Sequence, residues 1–308
     1  MSKYHQHDEK IQGLGLAVVA GVIFGTSGIL TRAITDISPI GIATGRLIVG
    51  FLFMMVLIWA QEQGIALKHS LRHYPLLLAL GLISSLHFVL FVRAIQKTFI
   101  ANALILVNTA PILVLVLAPF FLKEAISLVD ILGVAITFIG AGLIVGMDKV
   151  LLTPDHLTGD LCALGSALCY ALYVILARKL RKTYSSQVIM FWFFGLGALF
   201  LLLGGIGLRD PFFQTPTLTS WIFLGLLGIF PTGVGHFAYN LSLKYLAAAK
   251  ASTIILLEPV TGTLCALVFW GEVPPFSTWV GIVIALGGIT LASFTQNSLS
   301  LTRKREYV

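Results

Sequence analysis

The chain has 308 residues, of which 57% are hydrophobic and 11% charged, with a formal net charge of +7. A soluble domain carries about 25% charged residues, so this composition cannot build a water-facing surface. The basic excess does not indicate nucleic acid either, because its Lys and Arg residues sit in loops and tails rather than along one folded face.

Residues 1–13, MSKYHQHDEKIQG, form a polar tail without a small-x-small cleavage site after a short apolar core. The apolar run that follows is expected to be an uncleaved first helix. Apolar runs then recur near 14–34, 39–60, 75–95, 101–122, 129–147, 159–177, 186–208, 221–242, 250–270 and 277–295. Each is close to the roughly 20 residues a helix needs to cross a hydrocarbon core. Barrel strands would alternate polar and apolar over about 10 residues, and ALILVNTAPILVLVLAPFFL does not. The expected fold class is an all-α integral membrane protein of ten transmembrane helices.

The breaks carry turn chemistry, with DISP before the second run, LTPDHLTGD before the sixth, RDPFFQTPTLTS before the eighth and VPPFS before the tenth. With the N-terminus placed in the cytoplasm, fourteen Lys and Arg residues lie inside, five outside, and Arg46 within a span. That bias follows the positive-inside rule and predicts that both termini are cytoplasmic. Cys162, Cys169 and Cys265 all fall in apolar runs without a nearby His or Cys at ligand spacing, so neither a metal nor a cofactor is expected.

The chain repeats itself. A shift of 148 places Pro111 on Pro259, Glu124 on Glu272, Gly133 on Gly281 and Gly140 on Gly288, and a shift of 146 places Gly13 on Gly159, Phe24 on Tyr170 and Arg32 on Arg178. The expected organisation is a tail at 1–13, a first five-helix repeat at 14–147, a connecting loop at 148–158, a second repeat at 159–295 and a basic cytoplasmic tail at 296–308. Five is odd, so the second repeat must enter the membrane from the other side. Two inverted five-helix repeats are an architecture of secondary transporters.

Ionisable groups inside a span cost roughly 2.5–3.5 kcal/mol each on insertion scales and are functional candidates by default. Here they are Arg46, His87, His236 and Glu258. Glu258 precedes Pro259, which removes one backbone donor and frees a carbonyl near Ile255, so a carboxylate sits beside a broken helix. It either binds a cation, an ammonium or a proton, or ties helices together. Its repeat partner is Ala110, so any role is asymmetric. Arg46 lies about 10 Å into its span at 1.5 Å per residue, and either grips a substrate carboxylate or snorkels to the outer headgroups. His87 and His236 fall at near-equivalent depths of the third and eighth spans, and inversion turns them toward opposite faces. They either carry protons or hydrogen-bond between helices.

Asn108, Tyr170 and Tyr239 stand out among polar and aromatic residues because each pairs a mid-span or repeat-matched position with a polar atom that needs a partner. Gly21, Gly25 and Gly28 share one face of the first span and, with the repeated glycines, are read as close-packing surfaces. Glu124 and Glu272 close their spans and are read as caps or interface pairs. KHSLRHY and the terminal LTRKREY are read as orientation charges that touch membrane lipid.

The paired segments PILVLVLAPFFLKE with DILGVAITFIGAGLIV, and LEPVTGTLCALVFWGE with WVGIVIALGGITLA, together with Arg46 in GRLIVGFLFM, resemble the ten-helix EamA type of the drug/metabolite transporter superfamily. The resemblance covers nearly the whole chain. It implies a bacterial inner-membrane exporter of amino acids or related metabolites with a central cavity. The small multidrug carriers of that superfamily place a proton-coupling Glu in the first helix, whereas LGLAVVAGVIFGTSGILTRAI has no carboxylate. Proton coupling, if present, rests on other groups. One Arg and one Glu within spans suit a zwitterionic metabolite. A carrier of phosphorylated sugars or nucleotides would need several buried cations, and a lipid-modifying membrane enzyme would need clustered acids, histidines or a nucleophile, which are not found.

Overall fold

The computed structural model describes residues 3–98, 100–145, 157–213, 215–271, 273 and 275–294. Glu272, Lys149, the loop residues 148–156 and the tail 296–308 lie outside them. The first half comprises α1 (Lys3–Arg32), α2 (Pro39–Ala60), a short α3 (Gly64–Ser70), α4 (Tyr74–Lys97), α5 (Ile100–Val107), α6 (Ala110–Leu122) and α7 (Leu128–Val145). The second comprises α8 (Leu157–Leu180), α9 (Ser186–Gly207), α10 (Leu218–Leu227), a π-helical segment Gly228–Gly235, α11 (His236–Ser242), α12 (Ala248–Ile255), α13 (Leu257–Trp270) and α14 (Phe276–Phe294). Among the described residues there is no strand.

Among the described residues eight helical stretches are long and apolar enough to cross a membrane, against the ten expected, and two further apolar helices, Leu128–Ile144 and Phe276–Ala292, are shorter. Three of the expected spans are interrupted. The fourth breaks between α5 and α6, the ninth between α12 and α13, and the eighth passes through the π segment. KHSLRHY is not merely a charged loop, since it completes α3 and adds a 3-10 turn at Leu71–His73.

Local chemistry sets the matched boundaries. Ser38 caps α2 by accepting from Gly41 N, with Pro39 at the first helical position, and Ser185 caps α9 in the same way by accepting from Val188 N. At the other end, Lys123 after α6 and Gly271 after α13 both take left-handed conformations, with φ of 57° and 66°. Glycine adopts that conformation without strain, whereas at Lys123 it is a costlier choice.

The packing partners exchange between the halves. α1 packs on α11 and α13, and α8 packs on α4 and α6; α2 meets the π segment, and α9 meets α4. The pairs α2 with α9 and α7 with α14 join matched helices directly. In lipid there is no hydrophobic drive between apolar helices, so close backbone approach has to hold them. The α7–α14 seam does this with glycine: a Cβ on Gly140 would lie 2.3 Å from Ala285 N, one on Gly281 would lie 2.7 Å from Gly140 O, and one on Gly288 would lie 2.9 Å from Gly133 O. Gly25 approaches α13 as closely, at Thr261 and Gly262, whereas Gly28 touches nothing.

One half-buried polar network joins the end at which α6, α8 and α11 finish and α12 begins. Arg178 Nε donates to Glu124 Oε1 at 2.8 Å, Arg178 Nη1 donates to Leu243 O, and Ala248 N donates to Glu124 Oε2 at 2.9 Å. Glu124 is thus both a cap and an interface pair, as the sequence suggests. The helix it caps is α12 of the other half rather than the next helix in the chain. Substituting Glu124→Ala strips two partners at once, and an expected loss of about 1.5–3 kcal/mol would appear as a lower melting temperature in detergent. Arg178→Lys should recover only part of it, because an ammonium lacks the planar fork.

Candidate functional site

A cavity of about 60 Å³ lies between the halves, small beside the roughly 300–1,000 Å³ usual for small-molecule sites. From the first half, α1 supplies Phe24 and Ser27, α2 supplies Arg46, α4 supplies His87, Phe88 and Phe91, and the α5–α6 break supplies Val107, Asn108, Ala110 and Pro111. From the second, α8 supplies Tyr170, α11 supplies His236, and the α12–α13 break supplies Ile255 and Glu258.

Both breaks have the same cause. Pro111 and Pro259 lack the amide that would pair with Val107 O and Ile255 O four residues earlier. The chain responds with a tight turn at each place, Thr109 N donating to Leu106 O and Leu256 N to Thr253 O. Val107 and Ile255 both face the cavity, so helix interruption and solute space coincide.

Arg46 is buried, with 3% of its surface exposed, and it does not snorkel. Its Nε donates to Thr232 Oγ1 at 2.9 Å, its Nη2 to Ser27 Oγ at 3.4 Å, and its guanidinium carbon lies 4.6 Å from the centre of the Phe88 ring. These three partners turn it inward, because a buried guanidinium is satisfied only where acceptors and an aromatic face are available. Glu258 is only partly buried and opens onto the same cavity, and among the described residues no side-chain hydrogen bond or direct ion pair engages it.

The two histidines do not point to opposite faces. Their ring centres lie 6.4 Å apart, because α4 and α11 reach the cavity at the same depth. His87 Nδ1 lies 3.1 Å from Ser166 O and 3.0 Å from Ser166 Oγ, and Ser166 Oγ also reaches His87 O at 3.1 Å, so one serine engages both the ring and the backbone of His87. His236 packs on Phe24 at 4.7 Å and Phe88 at 5.3 Å, and its Nδ1 has no partner among the described residues.

Tyr170 and Asn108 reach the cavity wall, but Tyr239 does not. Tyr239 is fully buried behind Tyr170, with ring centres 5.7 Å apart, and its hydroxyl pairs with Ser252 Oγ at 2.8 Å. It props the wall rather than forming it. Sequence reasoning passed over Phe88, Ser27 and Thr232. With 21 Phe in the chain, Phe88 carries no signal of its own, although its place directly after His87 could have suggested it. Among the described residues no cluster of His, Cys, Asp or Glu could hold a metal.

The model of the EamA-like transporter family matches residues 11–146 and again 157–294. The chain belongs to the EamA-like transporter family. It is therefore a multi-pass membrane transporter of the drug/metabolite superfamily and not an enzyme. Among its relatives, the uncharacterized transporter YxxF of Bacillus subtilis is 27% identical over 280 residues, covering 89% of this chain and 87% of that protein. A probable terminal-alkyne amino-acid exporter of Streptantibioticus cattleyicolor is 26% identical over 207 residues, covering 67% of this chain and 66% of that protein. A crystal structure sharing 18% identity superposes with a TM-score of 0.78 over 91% of this chain and 96% of the other, a likeness of fold alone.

Proposed function

We propose that this EamA-type protein is a secondary transporter that exports amino acids or related zwitterionic metabolites by alternating access. The observation that carries this reading is the cavity between the halves, which presents one cation, Arg46, and one carboxylate, Glu258, that do not pair with each other. A free amino acid offers the complementary pair of charges, and aromatic rings from Phe24, Phe88, Phe91 and Tyr170 enclose the remainder. Arg46 is the one Lys or Arg among the residues lining the cavity, which suits a carboxylate better than the multiple charges of a phosphorylated sugar or nucleotide. The likeness to an amino-acid exporter points the same way.

In this reading ten helices form two inverted repeats, at 14–147 and 159–295, in a bacterial inner membrane with both termini cytoplasmic. The exchange of packing partners supports inversion, as does the crossing of Gly140 with Gly281 and of Gly288 with Gly133, since in a two-fold contact residue i meets j′ and residue j meets i′. Glu258, with His87 and His236 nearby, would carry any coupled proton.

The test is efflux from proteoliposomes loaded with an equimolar mixture of the twenty amino acids, followed by mass spectrometry, with and without an imposed proton gradient. Release of one or a few amino acids above protein-free vesicles is expected. Release of none, while sugar phosphates or nucleotides loaded into parallel vesicles do exit, would transfer the assignment to that class.

A further inference from the structure

The π-helical segment is not accounted for by transmembrane packing alone. Pro231 lies within it and has no amide, so Leu227 O, four residues earlier, loses its α-helical donor. The hydroxyl of Thr232 fills that place, donating to Leu227 O at 2.8 Å. With its proton committed, the same oxygen has only lone pairs left, and it accepts from Arg46 Nε at 2.9 Å. Thr232 is fully buried, so this acceptor cannot be replaced by solvent. Ser27 accepts from Nη2, and the face of Phe88 closes one side of the guanidinium plane. Among the described residues nothing accepts from Nη1, and the residue lines the cavity. Segments of π-helix are uncommon and recur at functional sites, where they re-aim a side chain.

We infer that Thr232 is a positioning residue that determines specificity, because the Pro231-induced π segment uses its hydroxyl to aim the free edge of Arg46 at the carboxylate of the solute. This rests on the reading of Arg46 as facing substrate. Without the Thr232 acceptor, the guanidinium is free to turn toward Glu258 on the facing wall. The cavity then neutralises itself, and its preference for a carboxylate-bearing solute falls. Thr232 touches Arg46 and not the solute, so its removal should weaken binding and leave turnover nearly intact.

Two arms test this on the full-length protein, using Thr232→Val, which is close in shape but lacks the hydroxyl, and Thr232→Ser, which keeps it. In the first arm, detergent-purified protein is melted with sodium benzoate or with benzamide, its uncharged isostere. Benzoate is expected to raise the melting temperature of the wild type and Thr232→Ser but not of Thr232→Val, with benzamide treating all three alike. Benzoate stabilising none of them, or all of them equally, would overturn the inference. In the second arm, transport of the amino acid best released by the wild type is measured. For Thr232→Val, KM should rise about tenfold, the loss of one hydrogen bond to a charged group, with Vmax within about twofold, and Thr232→Ser should restore KM. A fall in Vmax at unchanged KM, or a serine variant as impaired as the valine variant, would mean a merely structural role. If Thr232→Val does not fold, Ser27→Ala takes its place, and an unchanged KM and benzoate response there would equally overturn the idea. A wild type stabilised by benzoate that moves no amino acid removes the amino-acid reading and leaves the role of Thr232 standing.

Discussion

Glu258→Gln is expected to reduce the transport efficiency of the purified protein at least about thirtyfold, on the scale of about 2–5 kcal/mol for removing one partner of a desolvated charge pair. Stability should not follow. No described group hydrogen-bonds to the Glu258 side chain, and exchanging the carboxylate for a neutral amide of similar shape gives up only its through-space attraction to Arg46 while relieving a desolvation cost. Paired proteoliposome flux and detergent melting curves separate the two effects. Efflux within twofold of wild type would remove Glu258 from the site. A melting temperature that collapses along with flux would instead assign it to tying helices together.

Gly140→Leu is expected to prevent recovery of monodisperse protein. The added Cβ would lie 2.3 Å from Ala285 N and 2.8 Å from Gly281 O, both of them backbone atoms that cannot swing aside. Overpacking of a well-packed interior costs about 1–3 kcal/mol when side chains can adjust, and a backbone-to-backbone seam offers no such relief, so the loss should exceed that. Gly287→Leu is the matched control on α14, next to Gly288 yet with nothing within 4 Å of its added Cβ. Size-exclusion profiles should show the control intact and Gly140→Leu aggregated. Similar profiles for the two would mean that the seam does not hold the halves together.

What the sequence reveals here depends on whether the signal is local. Hydrophobic length is local, so the positions of the spans are readable. Proline is local too, which is why the break before Glu258 and the carbonyl freed at Ile255 follow from Pro259 alone. The π segment also contains a proline, Pro231, but its effect depends on Thr232 filling the gap and on Arg46 arriving from another helix, and neither can be read along one strand of text. Arg46 illustrates the limit: depth from the span end allows snorkelling, and only the positions of Ser27, Thr232 and Phe88 exclude it. His87 and His236 meet because α4 and α11 approach the cavity at one depth, a relation between segments 149 positions apart. Tyr239 carries the same chemistry as Tyr170 and yet lies behind it, because which face of a helix points inward is settled by neighbours.

Arg46 comes from the first half and Glu258 from the second, and the residue matched to Glu258 is the apolar Ala110. Two identical five-helix chains assembled about a two-fold axis would have to present every ionic group twice, setting arginine against arginine and glutamate against glutamate in the same small space. Joining the halves in one polypeptide removes that obligation. A site holding one positive and one negative charge is open to a fused pair and closed to a symmetric one.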